Sequence, residues 1–284
     1  MSLPSVTGLD HYIVRVNDLD AAIDAYAKLG FGLAPRGRHH KGTSNQTIIL
    51  DANYLELLYF PDDLKATSRF NTFADDYEGA VAVALQTGDS FSVHAELSAL
   101  GFEPEKPVTG GRPVHLPHGS FDASWANTEF PRAVAPLPLF FTCGHETRDL
   151  VYRPEWQNHA NGARRLEQLI VVHSDPSALA AHYLRLFGDI SVVSQGDQLE
   201  LRRGTLRLLV LKPEAFVRRF PGVDVPADTT EGWFAGSVVG VRDIGQTREL
   251  LERNGVAFAA GERGELVPPL SATGGSLLAF VQEV

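Results

Sequence analysis

The sequence predicts an α+β protein built from four βαβββ units that form two paired, curved mixed-sheet modules. Three observations carry this. One pattern of strand, turn, amphipathic helix, glycine and three further strands recurs four times, opening at Leu9, Ala80, Leu166 and Gly236. The opening stretches read as strands, the first with the alternation of a half-buried one. The helices stop at Gly30, Gly101, Gly188 and Gly255, a residue that tolerates the positive φ of a helix end.

In the first unit, the strand Leu9 to Val16 leads to Asp18 or Asp20, either of which can cap a helix with Leu19, Ala22, Ile23, Tyr26 and Leu29 on its apolar face. Strands follow at Gly32 to Arg38, Thr43 to Leu50 and Tyr54 to Phe60. The second unit has Ala80 to Gln86 and a helix presenting Val93, Leu97 and Leu100. Its stretch Lys106 to Ser120, rich in Gly, Pro and His, reads as a long loop before strands at Ser124 to Phe130 and Leu137 to Thr142. The third unit has Leu166 to His173, a helix with Leu179, Tyr183 and Leu186, and strands near Ile190 to Ser194, Gln198 to Arg202 and Thr205 to Leu211. The fourth has Gly236 to Val241, a helix with Ile244, Thr247 and Leu251, and strands at Val256 to Ala260, Gly264 to Val267 and Ser276 to Gln282. Gly144 to Gly162 and Lys212 to Gly232 read as connectors. A curved four-stranded sheet needs a partner for its apolar concave face, so the units are expected to pair. Residues 5–145 form one expected domain with the candidate cleft, and 162–284 a second.

Composition excludes several classes. A hydrophobic share of 44% and a charged share of 21% are those of an ordinary globular protein rather than a disordered or fibrous one. The net charge of -10 repels phosphate backbones, so nucleic acid is not an expected partner. No apolar run is long enough to span a bilayer, and no signal-peptide pattern precedes the first strand. A single cysteine, Cys143, fits a reducing compartment, so the expectation is a soluble cytoplasmic protein. A small molecule is the expected partner, with a homodimer open.

Alternation places His11, Ile13 and Arg15 on one face of the first strand and Tyr12, Val14 and Val16 on the face toward the helix. On the fourth strand Tyr54, Glu56, Leu58 and Phe60 share a face. Glu56 is anomalous, because a carboxylate inside an apolar run is costly to bury without a metal, a histidine or an arginine beside it.

The stretches LDHYIVRVNDLDAAIDAYAKLGF and GTSNQTIILDANYLELL resemble the opening unit of the vicinal oxygen chelate superfamily, within it the glyoxalase-like domains. RHHKGTSN, the Arg153–Pro154 pair and NHANGA (Asn158 to Ala163) carry the resemblance further, up to the opening of the third unit. It implies a divalent metal ion (Zn, Ni, Mn or Fe) held by His11 and Glu56, with Glu56 also catalytic. It also implies a lyase, isomerase or dioxygenase acting on a small oxygenated metabolite. The full ligand set is absent at the family's other positions: Val81, the apolar run from Pro138 to Phe141, Gln168, Arg207 and Gly236 stand there. The second pair is therefore expected to be metal-free. A third ligand is sought among the loop histidines His39, His40, His115 and His118, with His40 or His115 as the candidates.

Asn45, Tyr54, Trp125 and Arg153 are the expected substrate-binding residues. Plainer readings stand beside these. His11 can be a histidine bonded to backbone, Glu56 a structural partner of Arg15 or Arg38, Arg153 a surface residue and Cys143 an apolar filler with no base nearby. The rival function is a metal-free binding or sequestration protein of the same superfamily.

Overall fold

The computed structural model describes residues 2–65, 73–133 and 135–283. Its first unit comprises β1 (Val6–Val16), α1 (Leu19–Lys28), β2 (Gly37–Arg38), β3 (Ser44–Ile49) and β4 (Tyr54–Tyr59), followed by a one-turn helix α2 (Asp62–Lys65). The second has β5 (Gly79–Thr87), α3 (Ser90–Ala99), β6 (Val108–Leu116), β7 (Gly119–Asn127) and β8 (Leu139–His145). The third has β9 (Ala163–Val172), α4 (Ala180–Phe187), β10 (Val192–Gln195), β11 (Gln198–Arg203) and β12 (Leu206–Leu211). After α5 (Pro213–Arg219) come β13 (Trp233–Val241), α6 (Ile244–Arg253), β14 (Ala259–Ala260), β15 (Leu266–Val267) and β16 (Leu277–Gln282).

These strands form two eight-stranded sheets, ordered β2-β3-β4-β1-β5-β8-β7-β6 and β10-β11-β12-β9-β13-β16-β15-β14. In each, the opening strand of one unit pairs in parallel with the last strand of that unit and antiparallel with the opening strand of the next. The first sheet curls until its ends meet, where the His40 N–H donates to the Gly111 carbonyl at 3.0 Å. Asp18 rather than Asp20 caps α1, its carboxylate accepting from the Ala21 N–H, and Asp89 and Asp243 do the same for α3 and α6. Among the described residues, no helix is long and apolar enough to cross a membrane.

One core lies between the two sheets. Tyr12, Val14 and Val16 of β1 pack there with Leu19, Ala22 and Tyr26 of α1 and with Leu169, Val171 and Val239 of the second sheet. The predicted division of β1 into a helix-facing side and a second side is observed. Buried Tyr12 and Tyr26 hydroxyls need partners: Ser237 Oγ donates to the first at 3.0 Å, and the second donates to the Thr273 carbonyl at 3.0 Å.

Two stretches depart from the sequence reading. Lys106 to Ser120 is not a long loop, because β6 and β7 form a hairpin in register from Val108–Asn127 to Leu116–Gly119, turning at Pro117 and His118. Its glycines serve packing: a Cβ at Gly110 would come within 2.5 Å of Trp125 Nε1 on the opposite strand. The connector Lys212 to Gly232 contains α5, for which Pro213 is a starter rather than a breaker, since the first turn of a helix has no use for its N–H.

Candidate functional site

The face of the first sheet turned away from the shared core encloses a cavity of about 350 Å³. The period-2 pattern puts His11 and Ile13 of β1 and Tyr54, Glu56 and Leu58 of β4 on its wall. β3 adds Asn45 and Thr47, β7 adds Trp125, and β8 adds Phe141, Cys143 and His145.

Beneath His11 lies a carboxylate that alternation alone does not place. A β-bulge between Leu9 and His11 leaves Asp10 without a partner on β5. Its side chain is fully buried, at 0% exposure. Asp10 Oδ1 is 2.8 Å from His11 Nδ1 and 3.1 Å from His145 Nε2, while Oδ2 accepts from Arg148 Nη1 and the Tyr152 hydroxyl at 3.2 Å each. Burial by itself raises the Asp10 carboxyl, but the His145 charge and the hydrogen bonds from His11 and His145 hold it well below the ordinary carboxylate range. An ionised Asp10 only accepts, so His11 carries its proton on Nδ1 and turns the Nε2 lone pair to the cavity. Tyr54 stacks on that ring at 4.2 Å and fixes its plane. Burial, then the Asp10 charge, push the Tyr54 hydroxyl up, which keeps it neutral.

Glu56, 5% exposed, faces this nitrogen, with Oε2 3.5 Å from His11 Nε2. Its Oε1 accepts from Asn45 Nδ2 at 2.6 Å and lies 3.7 Å from His39 Nε2. His39 is oriented by Thr43, whose hydroxyl is 2.7 Å from Nδ1, and by Trp125, whose ring meets it edge-on at 5.4 Å. Burial depresses the His39 imidazole pKa, with Glu56 opposing, so the neutral ligand form is favoured. Asn45 Oδ1 and Thr47 Oγ1 are buried without partners among the described residues. Two imidazole nitrogens, a carboxylate and orphaned oxygens on one wall make an N/O donor set that fits a divalent ion.

A second group, Asp10, Cys143 and His145, has its ligand atoms within 4.8 Å of one another and could also hold a cation. Those atoms already engage each other, with Cys143 Sγ 3.6 Å from His145 Nε2, and Asp10 has four further tasks in its hydrogen bonds. Cys143 thus has the neighbouring base that sequence did not reveal.

The structure brings His11, Glu56, Asn45, Tyr54 and Trp125 to one cavity and leaves three predicted residues outside it. His40 is turned outward, its side chain 57% exposed and paired with Asp122 at 3.3 Å. His115 sits exposed on the outer part of the β6–β7 hairpin. The candidate third ligand is corrected to His39, because adjacent residues on an extended backbone point to opposite sides. Arg153 pairs with Glu155 beside Trp156 and does not reach the wall. The arginine that does is Arg112 of β6, which lay within the stretch read as loop. Register also corrects the second half: Ile13 pairs with Glu56 and Ile170 with Leu209, so Leu209, not Arg207, stands where Glu56 does.

The Glyoxalase-like domain family matches residues 9–187. No curated protein matches the chain significantly in sequence. Among solved structures, a hypothetical protein from Staphylococcus aureus superposes with a TM-score of 0.67 at 16% identity, covering 98% of this chain and 100% of its own. A mutant of 4-hydroxymandelate synthase from Streptomyces coelicolor gives 0.55 at 13% identity, covering 98% of this chain and 93% of its own. Homoprotocatechuate 2,3-dioxygenase from Arthrobacter globiformis gives 0.56 at 12%, covering 100% and 81%. At these identities the likeness is one of fold, while the family match extends over most of the chain: this protein belongs to the glyoxalase-like domain family.

Proposed function

We propose that the first module, residues 5–145, is the active half of an enzyme that acts on a small oxygenated metabolite with a divalent ion held by His11, His39 and Glu56. Its chemistry is that of a lyase, isomerase or dioxygenase, and residues 162–284 are a metal-free second half. The observation that carries this reading is the placement of buried Glu56 between two imidazole Nε2 atoms, at 3.5 and 3.7 Å, with no ion pair to any arginine. Bound there, a divalent ion supplies Lewis-acid polarisation of a substrate oxygen.

The remaining work belongs to side chains. Asp10 keeps the His11 proton on Nδ1, a supporting contact that raises the basicity of Nε2. Asn45 fixes Glu56 through Oε1, leaving Oε2 free of hydrogen bonds and placed to take a proton from substrate. Trp125 and Phe141 exclude water from the wall and leave an apolar surface for the substrate body. The single buried cysteine accords with a cytoplasmic site of action.

Metal analysis with titration tests the reading: about one divalent ion per chain is expected, lost in His11→Ala and Glu56→Ala. The rival reading, a metal-free small-molecule binder, draws on unit two, whose Ala82, Ala84 and Phe141 offer no ligand on the equivalent strands. It predicts no specific ion and a melting temperature raised by organic ligands alone.

A further inference from the structure

Three arginines are buried: Arg15, Arg112 and Arg219. Two of them are satisfied by the protein. Arg15 Nη2 donates to the Asp75 carbonyl at 2.6 Å, and Arg219 donates to Glu265 at 2.9 Å and to Gln168 at 2.6 Å. Arg112 differs. It is 4% exposed, it lines the cavity, and its guanidinium has no hydrogen bond or ion pair with any described residue. Burial lowers its pKa, which is the cost of holding a charge out of water without a counterion.

The surroundings are shaped to keep that group open. Gly37, across the sheet closure, has no side chain, and a Cβ there would meet Asn45 Oδ1 and stand 3.1 Å from Arg112 Nη1. The nearest acid on the wall, Glu56, is committed to Asn45 and faces the two histidines. A lone buried guanidinium presents a planar fork of donors that matches a carboxylate, whereas a phosphate is ordinarily met by several cations. The rest of the wall, Leu58, Phe60, Trp125 and Phe141, is apolar, and the volume is at the small end for ligand pockets.

We infer that the substrate is a small carboxylate with an apolar body and that Arg112 is the residue that binds its carboxyl group. This rests on the reading that the cavity is the substrate cleft. It does not require that an ion be bound.

Calorimetric titration of the full chain with benzoate, benzamide and phenyl phosphate tests it. Benzoate is expected to bind at least about tenfold more tightly than either of the others, the scale of a hydrogen bond to a charged group in a dry site. That ratio should fall to near one in Arg112→Met, survive in part in Arg112→Lys, and persist in His11→Ala. Arg112→Met is close in volume and removes an unpaired buried charge, so it should fold and melt no lower than the parent. Absence of benzoate binding, equal affinities in the parent, a preference for phenyl phosphate, or a ratio unchanged in Arg112→Met overturns the inference. So does a ratio kept in Arg112→Met but lost in His11→Ala, which would assign the carboxylate to the ion. Metal content measured on the same samples separates the two proposals: a chain without an ion that still prefers benzoate through Arg112 retains this inference and loses the metal reading.

Discussion

On their opening strands the two sheets carry His11 and Gln168 beside equivalent bulges, and on the partner strands Glu56 and Leu209 occupy the same register. Around His11 and Glu56 there is a cavity; around Leu209 there is solid packing. Ile170, Val172, Leu209 and Leu211 meet Phe216 and Phe220, both fully buried, which α5 and the residue after it deliver to the inner face of the second sheet. The repeat is one architecture, and the site exists in the half that no such plug fills. Function here is grafted onto a scaffold by a few inner-face residues and by the absence of a short helix, not by the topology itself.

Filling can be tested against hollowness. Phe216→Ala should destabilise the chain by about 3–5 kcal/mol in chemical denaturation, the cost of a cavity in a packed core. Phe141→Ala, beside space that is already empty, should cost distinctly less. Equal losses would mean that the first face is as tightly packed as the second.

The next effect concerns the support under His11, where the second sheet has Gln168 instead. Asp10→Asn should weaken divalent-ion binding by about 10–100-fold, as loss of an outer carboxylate does at a histidine ligand. It should also change the acid limb of stability. The folded-state pKa of Asp10 is depressed, so its contribution is present above the free-carboxyl value and is lost as pH falls toward the folded one. A denaturation series from neutral to acidic pH should be flatter in the variant, and superimposable slopes would count against the network.

The smallest expected effect is a titration shift. Because burial favours neutral His39, an NMR titration should show its ring changing protonation below the 6.5 of free histidine. The unfolded chain takes that proton first, so the stability linked to His39 declines as pH drops through this window. Titration at or above 6.5 would remove the argument for His39 as a ready ligand.

How much of this was legible in sequence depends on periodicity. His11, Ile13, Tyr54 and Glu56 were assigned to one face because strands alternate, and Glu56 stood out as a carboxylate in an apolar run. Asp10 escaped because a bulge breaks that alternation, and nothing in the local residue types announces a bulge. Arg112 escaped because Gly110, Gly111 and Pro113 carry the composition of a loop, although the glycines make room for Trp125 and His40. The choice of His39 over His40 depended on the direction of a short segment entering β3, which no pattern encodes. Proline at the start of α5 was read as punctuation, and with it the plug of the second sheet was missed.

Crystals soaked in manganese and recorded for anomalous scattering would compare the two inner faces in one experiment. The account predicts a single strong peak bounded by His11 Nε2, His39 Nε2 and the Glu56 carboxylate, and none against Leu209 and Phe216. No peak at Glu56, or one confined to Asp10, Cys143 and His145, would contradict it.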